Sequence, residues 1–194
     1  MRIAHTWQDA LRAAGLDSPA LREPQMLLSD LPAFDPYQAG KLSYSDYLKG
    51  LADALEISTE QAALVHESIL IEPYPGVERL VREVKAAGLR TACCSNTNEP
   101  HWIRFTTHPA FSAIQHLDVQ VGSHQVGLLK PNRSFYELMT KLIERTTGSI
   151  LFFDDSQLNV EGAVAAGWQA HRIDPENDPP AQMQALLAAA LGSA

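Results

Sequence analysis

Ile150-Leu-Phe-Phe-Asp-Asp-Ser-Gln-Leu-Asn-Val-Glu-Gly-Ala163 is the stretch from which the fold can be read. Its first four residues are apolar and lie between Gly148 and two aspartates, which predicts a short strand buried on both faces. Asp154 and Asp155 then stand at the carboxyl end of that strand, where open α/β sheets place their ligand sites. Adjacent carboxylates repel each other, and a bound cation or a shared proton relieves the cost. A hard divalent ion such as Mg2+, held by one or two carboxylates together with a substrate phosphate, suits the pair. An acidic first turn for the helix that starts near Asn159 accounts for the same residues, because carboxylates are favourable at helix N-termini. By itself the stretch leaves both readings open.

Two junctions upstream have the same form. Thr91-Ala-Cys-Cys-Ser95 predicts a strand, and Ser95-Asn96-Thr97-Asn98 follows it. A hydroxyl, an amide and free backbone N–H groups at a strand end suit an oxyanion or phosphate. Ser, Asn and Thr are equally the residues of an ordinary capped turn. A strand over Leu117 to Val121 leads into Ser123-His-Gln-Val-Gly-Leu-Leu-Lys-Pro131. The proline holds Lys130 extended at the start of a helix. There the lysine can neutralise a phosphate or a reacting carboxylate; a solvated surface lysine is the ordinary alternative. Each signal is weak alone. In this order, each after its own strand, they reinforce one another.

The rest of the chain supplies the frame. Residues 1–72 read as about four short helices without strands, with Asp30 to Gly40 as a loop. Ser58-Thr-Glu-Gln61 is a capping-box pattern ahead of Ala62, Val65 and Ile69. Glu72-Pro-Tyr-Pro-Gly76 cannot continue a helix and marks a boundary. Beyond it helices and strands alternate, which predicts right-handed crossovers and a parallel sheet. The expected organisation is a helical bundle over residues 1–72 and an α/β core over 73–194.

Composition narrows the class. The 194 residues, with 45% hydrophobic and 20% charged residues, fit a globular domain with one smaller unit. A net charge of −8 argues against non-specific nucleic-acid binding. No run is apolar enough to span a bilayer, and the N-terminus lacks a signal-peptide core, so no membrane association is expected. Cys93 and Cys94, adjacent in a strand, are poorly placed for a structural disulfide, and a reducing, cytoplasmic setting follows. His101, His108, His116 and His124 are expected at the surface or behind the site.

The three loops resemble the motifs of the haloacid dehalogenase (HAD) superfamily. Cys94-Ser95-Asn96-Thr97-Asn98 is similar to its second motif, and Val126-Gly-Leu-Leu-Lys130-Pro131 to its third. Phe152-Phe-Asp-Asp155 with Asn159-Val-Glu-Gly-Ala163 is similar to its fourth. Residues 1–72 look like the family's helical C1 cap. The resemblance covers nearly the whole chain. It is nearest to the bacterial branch of sugar-phosphate phosphatases such as α-D-glucose-1-phosphate phosphatase. It implies a Rossmannoid α/β fold and Mg2+-dependent hydrolysis of a small phosphorylated metabolite through an aspartyl-phosphate. By the same resemblance Ser95 and Asn96 orient the phosphoryl group, and Lys130 stabilises its charge. Asp155 is the main Mg2+ ligand, and Asp154 a ligand or the anchor of a metal-bound water.

The family's first motif, an Asp-x-Asp after the first strand, is nowhere in the sequence. Asp9, Asp17 and Asp30 follow no strand, so no nucleophile is assigned. In the family's strand order, 5-4-1-2-3, the strand that carries this motif is central. Its loss is expected to split the sheet and make the chain poorly soluble. The leading expectation is a sequence lacking its natural N-terminal segment. A pseudoenzyme with a binding or regulatory role and no turnover is the alternative, and a separately encoded first strand is the third.

Overall fold

The computed structural model describes residues 1–192. The chain sorts into two compact units, one of residues 1–73, 96–104 and 122–127, the other of residues 74–95, 105–121 and from 128 on.

In the first unit, Thr6 starts α1 (Trp7–Ala13) by accepting the Asp9 N–H at 3.1 Å. Ser43 does the same for α3 (Tyr44–Leu55), which follows α2 (Phe34–Gln38). The capping box holds as expected at α4 (Thr59–Glu67). Ser58 Oγ accepts the Gln61 N–H at 3.2 Å, and Gln61 Oε1 accepts the Ser58 N–H at 2.9 Å. Trp7, Leu11, Tyr47, Leu51, Leu55 and Val65 are almost fully buried in one core formed by these helices.

Two expectations for residues 1–72 are corrected. The segment is not all helical: β1 (Arg2–Ile3) pairs antiparallel with β2 (Leu70–Glu72), and Ala4 N–H donates to Ile69 O at 2.9 Å. The stretch from Asp30 to Gly40 is not simply a loop, because it contains α2. Pro36 lies within the first turn of that helix, where a missing N–H costs nothing, and Phe34 and Tyr37 bury one side. Ser18-Pro19 opens only a single 3-10 turn, Pro19–Arg22.

The alternating part runs α5 (Val77–Ala86), β3 (Ala92–Ser95), α6 (Glu99–Thr107), α7 (Ser112–Gln115), β4 (Val119–Gly122) and α8 (Ser123–Val126). It continues with α9 (Arg133–Ile143), β5 (Leu151–Asp154), α10 (Gln157–Ala165), β6 (Gln169–Arg172) and α11 (Pro179–Gly192). β5 and β6 are parallel, from Leu151 opposite Gln169 to Asp154 opposite Arg172. β3 pairs with β4, and among the described residues no strand joins the two pairs. β5 is therefore not buried on both faces as its apolar run suggests. Phe152 is buried, but Leu151 and Phe153 are partly exposed, since a two-stranded sheet gives its faces less cover than a wide one.

Beneath β5 the rings of Tyr136, Phe152 and Trp168 meet edge to face, with centroids 5.2 to 6.2 Å apart. α10 approaches α9 closely at Gly162. A Cβ there would lie 2.9 Å from both Pro131 Cβ and Pro131 O. Tyr136 Oη donates to Asn159 O at 2.7 Å across the same contact.

Candidate active site

β5 ends on Asp154, and its register with β6 fixes where that carboxylate stands. Asp154 Oδ2 accepts Lys130 Nζ at 2.5 Å, and the two side chains are only 7% and 8% exposed. Asp154 Oδ1 accepts the Ser156 N–H and Asn159 Nδ2, each at 2.9 Å. Three donors therefore hold one carboxylate at the entrance to α10. Lys130 lies 5.4 Å from the centroid of the Phe152 ring. Pro131, next in the chain, is seated against Gly162. Burial opposes the Lys130 charge, but its surroundings outweigh it and shift the ammonium upward; at neutral pH, with Cys94 a neutral thiol, the Asp154 carboxylate supplies the opposing charge. Lys130 is thus a fixed cation at neutral pH.

Asp155 is the opposite case. It is exposed, and among the described residues its carboxylate has no hydrogen bond or ion pair; only its main-chain carbonyl is engaged, accepting Arg172 Nε at 3.1 Å. Adjacent aspartates have been given different work, one anchoring the lysine and the other open to solvent.

Cys94 lies on β3 close enough to Lys130 and Asp154 to interact with both. Solvent reaches part of its surface, yet the protein packed around the sulfur pushes the thiol up to about 12 by burial, against the pull of Lys130. At neutral pH it stays protonated and is no nucleophile. Ser95 closes β3, and Asn96 opens the loop behind it. Thr97 and Asn98, the last residues of that loop, are buried.

In the first unit the structure shows polar groups that the sequence reading missed. Ser123 is fully buried and accepts the Thr97 N–H at 2.8 Å. His66, Asn98 and His101 are buried together. His101 is therefore not a surface residue, whereas His108 and His116 are exposed as expected. A local signal existed for His66. With Ala62, Val65 and Ile69 it completes the i, i+3, i+4, i+7 stripe of α4, so it had to be buried.

Among the described residues no group of three or more His, Cys, Asp or Glu could hold a metal ion. A dedicated protein cage is therefore not built here. Mg2+ commonly takes only one or two carboxylates and completes its shell with water and substrate phosphate. The open carboxylate of Asp155 fits that mode.

The fold is of the Rossmannoid α/β class with a smaller, mainly helical unit. The chain belongs to the haloacid dehalogenase-like hydrolase family, which it matches over residues 3–167. It is 28% identical over 134 residues to Phosphatase MT3486 of Mycobacterium tuberculosis, covering 67% of this chain and 61% of that protein. It is 30% identical over 110 residues to a haloacid dehalogenase-like hydrolase domain-containing protein of Arabidopsis thaliana, covering 56% and 35%. The chain thus spans under two thirds of the length of these curated relatives. Among solved structures, a HAD-like family hydrolase from Porphyromonas gingivalis superposes with a TM-score of 0.73 at 21% identity, covering 95% of this chain and 92% of that one. A HAD family enzyme from Bacteroides thetaiotaomicron, solved with magnesium and inorganic phosphate, gives 0.72 at 14% identity, covering 91% and 90%.

Proposed function

We propose that this protein is a cytoplasmic, Mg2+-dependent phosphohydrolase for a small phosphorylated metabolite, with sugar phosphates as the leading substrate class. The observation that carries the reading is the buried Lys130–Asp154 pair at the end of β5, with the Asp155 carboxylate open beside it. A buried lysine fixed by the Asp154 carboxylate presents a positioned ammonium to an anionic group. In this reading Lys130 balances phosphoryl charge, while Ser95 and Asn96 orient the phosphoryl oxygens through hydroxyl, amide and backbone N–H. Asp154 fixes Lys130 and the turn into α10, and Asp155 holds Mg2+. When bound, the ion neutralises phosphate charge and polarises its oxygens. The family mechanism passes through an aspartyl-phosphate, and no residue of this chain is assigned as its acceptor. Residues 1–72 act as the cap that selects the substrate, on a core of 73–194. Both cysteines are free thiols, in keeping with a reducing compartment.

A second reading, phosphate or metabolite binding without turnover, is favoured by one observation: no Asp-x-Asp occurs in the sequence. Release of inorganic phosphate from a panel of phosphorylated sugars, with and without Mg2+, separates the two. The phosphohydrolase reading requires release that depends on Mg2+ and disappears in both Lys130→Ala and Asp155→Ala. Release indifferent to both changes overturns it. Saturable phosphate binding with no release establishes the second reading instead. Asp155→Ala is the cleaner variant, because its exposed side chain supports nothing else.

A further inference from the structure

Within the first unit lies a buried polar cluster to which the reading above gives no task. Asn98 Oδ1 accepts the His101 backbone N–H at 3.2 Å and lies 3.2 Å from His66 Nε2. Asn98 Nδ2 is 3.2 Å from His101 Nδ1, and His101 Nε2 is 2.9 Å from His66 O. His66 Nδ1 is 3.0 Å from Tyr47 Oη. The two imidazoles stack with centroids 4.1 Å apart and planes 5° from parallel.

With both rings neutral, as their burial favours, these contacts admit one arrangement of hydrogens. The amide oxygen of Asn98 is fixed by the backbone N–H it accepts, so the amide cannot be flipped. A carbonyl oxygen only accepts, so His66 Nε2 carries a hydrogen. An amide nitrogen only donates, so His101 Nδ1 is bare, and His101 Nε2 donates to the His66 carbonyl. His66 Nδ1 is then bare as well and accepts from the Tyr47 hydroxyl. Both rings are neutral Nε2–H tautomers with every nitrogen satisfied. The other ionisable groups of the cluster's surroundings are Tyr37 on α2, Tyr44 and Tyr47 on α3, Glu67 on α4, Glu99 and Arg104 on α6, and His124 on α8. Among them Arg104 acts directly on His101, and with the sign that disfavours a second proton.

The loop that begins at Asn96 is held from both sides. Thr97 donates to Ser123 Oγ, whose hydroxyl lies 2.7 Å from Gln38 O and 2.9 Å from Thr97 O. Asn98 caps α6 through the third N–H of the helix, that of His101, and its main-chain oxygen accepts the Trp102 N–H at 2.9 Å. We propose that Asn98 is the positioning residue of the Asn96–Thr97 turn, and that the neutral His66–His101 stack is the lock that keeps it in place. The inference deepens the phosphate-binding role given to Asn96 and rests on that reading for its functional consequence.

The test uses the 194-residue chain labelled with nitrogen-15. Ring correlation spectra between pH 8 and pH 5 are expected to show His66 and His101 as neutral Nε2–H tautomers throughout. In Asn98→Asp the group facing His101 Nδ1 becomes an acceptor, so His101 must take a hydrogen there and titrate near or above its ordinary value. Asn98→Ala is expected to speed exchange of the Thr97 amide at least tenfold and to weaken binding of inorganic phosphate with Mg2+ about tenfold. Rings that titrate near 6.5 in the unaltered protein, or an Asn98→Ala variant with unchanged exchange and phosphate affinity, overturn the proposal. If Asn98→Ala does not fold, the unaltered protein and Asn98→Asp still decide. If the unaltered protein binds no phosphate, the functional reading falls, while the ring tautomers and Thr97 exchange still judge the lock.

Discussion

Acid should unfold this protein through its histidine stack. His101 is buried at 5% exposure, and burial lowers its pKa from the ordinary 6.5 to about 4, against the hydrogen bond to the His66 carbonyl that pulls it upward. His66, fully buried, is lowered well below 6.5 for the same first reason, with neighbouring His101 adding to it. Above 6.5 the ring is neutral in both the folded and the unfolded chain, and stability is complete. As pH falls through 6.5 the unfolded ring takes a proton and the folded one does not, so stability is lost down to about pH 4, where the folded ring is protonated too. For His101 alone the loss amounts to about 2 kcal/mol at pH 5 and about 3 kcal/mol when complete. His66 adds to it in the same direction. Urea unfolding at pH 7 and pH 5 measures the loss, and His101→Phe isolates it, because the ring stack is kept and the proton site removed. The difference in stability between the two pH values should shrink by about 2 kcal/mol in the variant. An equal difference in both proteins would refute the reasoning, whatever carboxylates and other histidines contribute to the common slope.

Four further outcomes follow from particular side chains. Lys130→Met leaves Asp154 buried without its cation and should cost about 3 kcal/mol in urea unfolding, whereas Asp155→Asn, exposed and unpaired, should stay within about 0.5 kcal/mol of the parent. Gly162→Ala puts a Cβ 2.9 Å from Pro131 Cβ and O and 3.0 Å from Tyr136 Cε2; the forced shift should cost about 1–3 kcal/mol and lower the thermal midpoint. Ser58→Ala removes the oxygen that accepts the Gln61 N–H and should cost about 1 kcal/mol in the same measurement, without altering phosphate binding.

What could be read from the chain was what is local. The run into Asp154 marks its strand because apolar residues and a following carboxylate pair are contiguous, and Ser58 to Gln61 marks the start of α4 because both halves of its hydrogen-bond pair lie within four residues. β1 and β2 could not be read, since strands of two and three residues have no periodicity and their pairing joins positions as far apart as Arg2 and Glu72. α2 was hidden by Pro32, Asp35 and Pro36, which look like a loop until Tyr37 is seen stacked on Tyr47 at 4.2 Å. The Lys130–Asp154 contact was not read, as nothing in a 24-residue separation signals an ion pair. The His66–Asn98 bond, across 32 residues, was announced only by a histidine on an apolar stripe, and that named no partner.

The aspartate pair also bears on how the fold and the proposed Mg2+ are related. On sequence alone, two adjacent carboxylates needed a cation or a shared proton to stand together. Lys130 is that cation for Asp154, and the Ser156 and Asn159 donors complete its shell. The exposure of Asp155 lets water screen what repulsion is left. On the proposed reading the fold does not need the metal, and chelation should leave the thermal midpoint unchanged. Added Mg2+ alone should stabilise little, since a ligand present at its own Kd contributes only about 0.4 kcal/mol. Phosphate and Mg2+ together should shift the midpoint more than the two shifts added, if they share the proposed site beside Lys130. Thermal melts with chelator, Mg2+, phosphate and both read all four cases. A large loss of stability on chelation would mean that Asp155 is a structural ligand after all, and that the division of labour between the two aspartates is wrong.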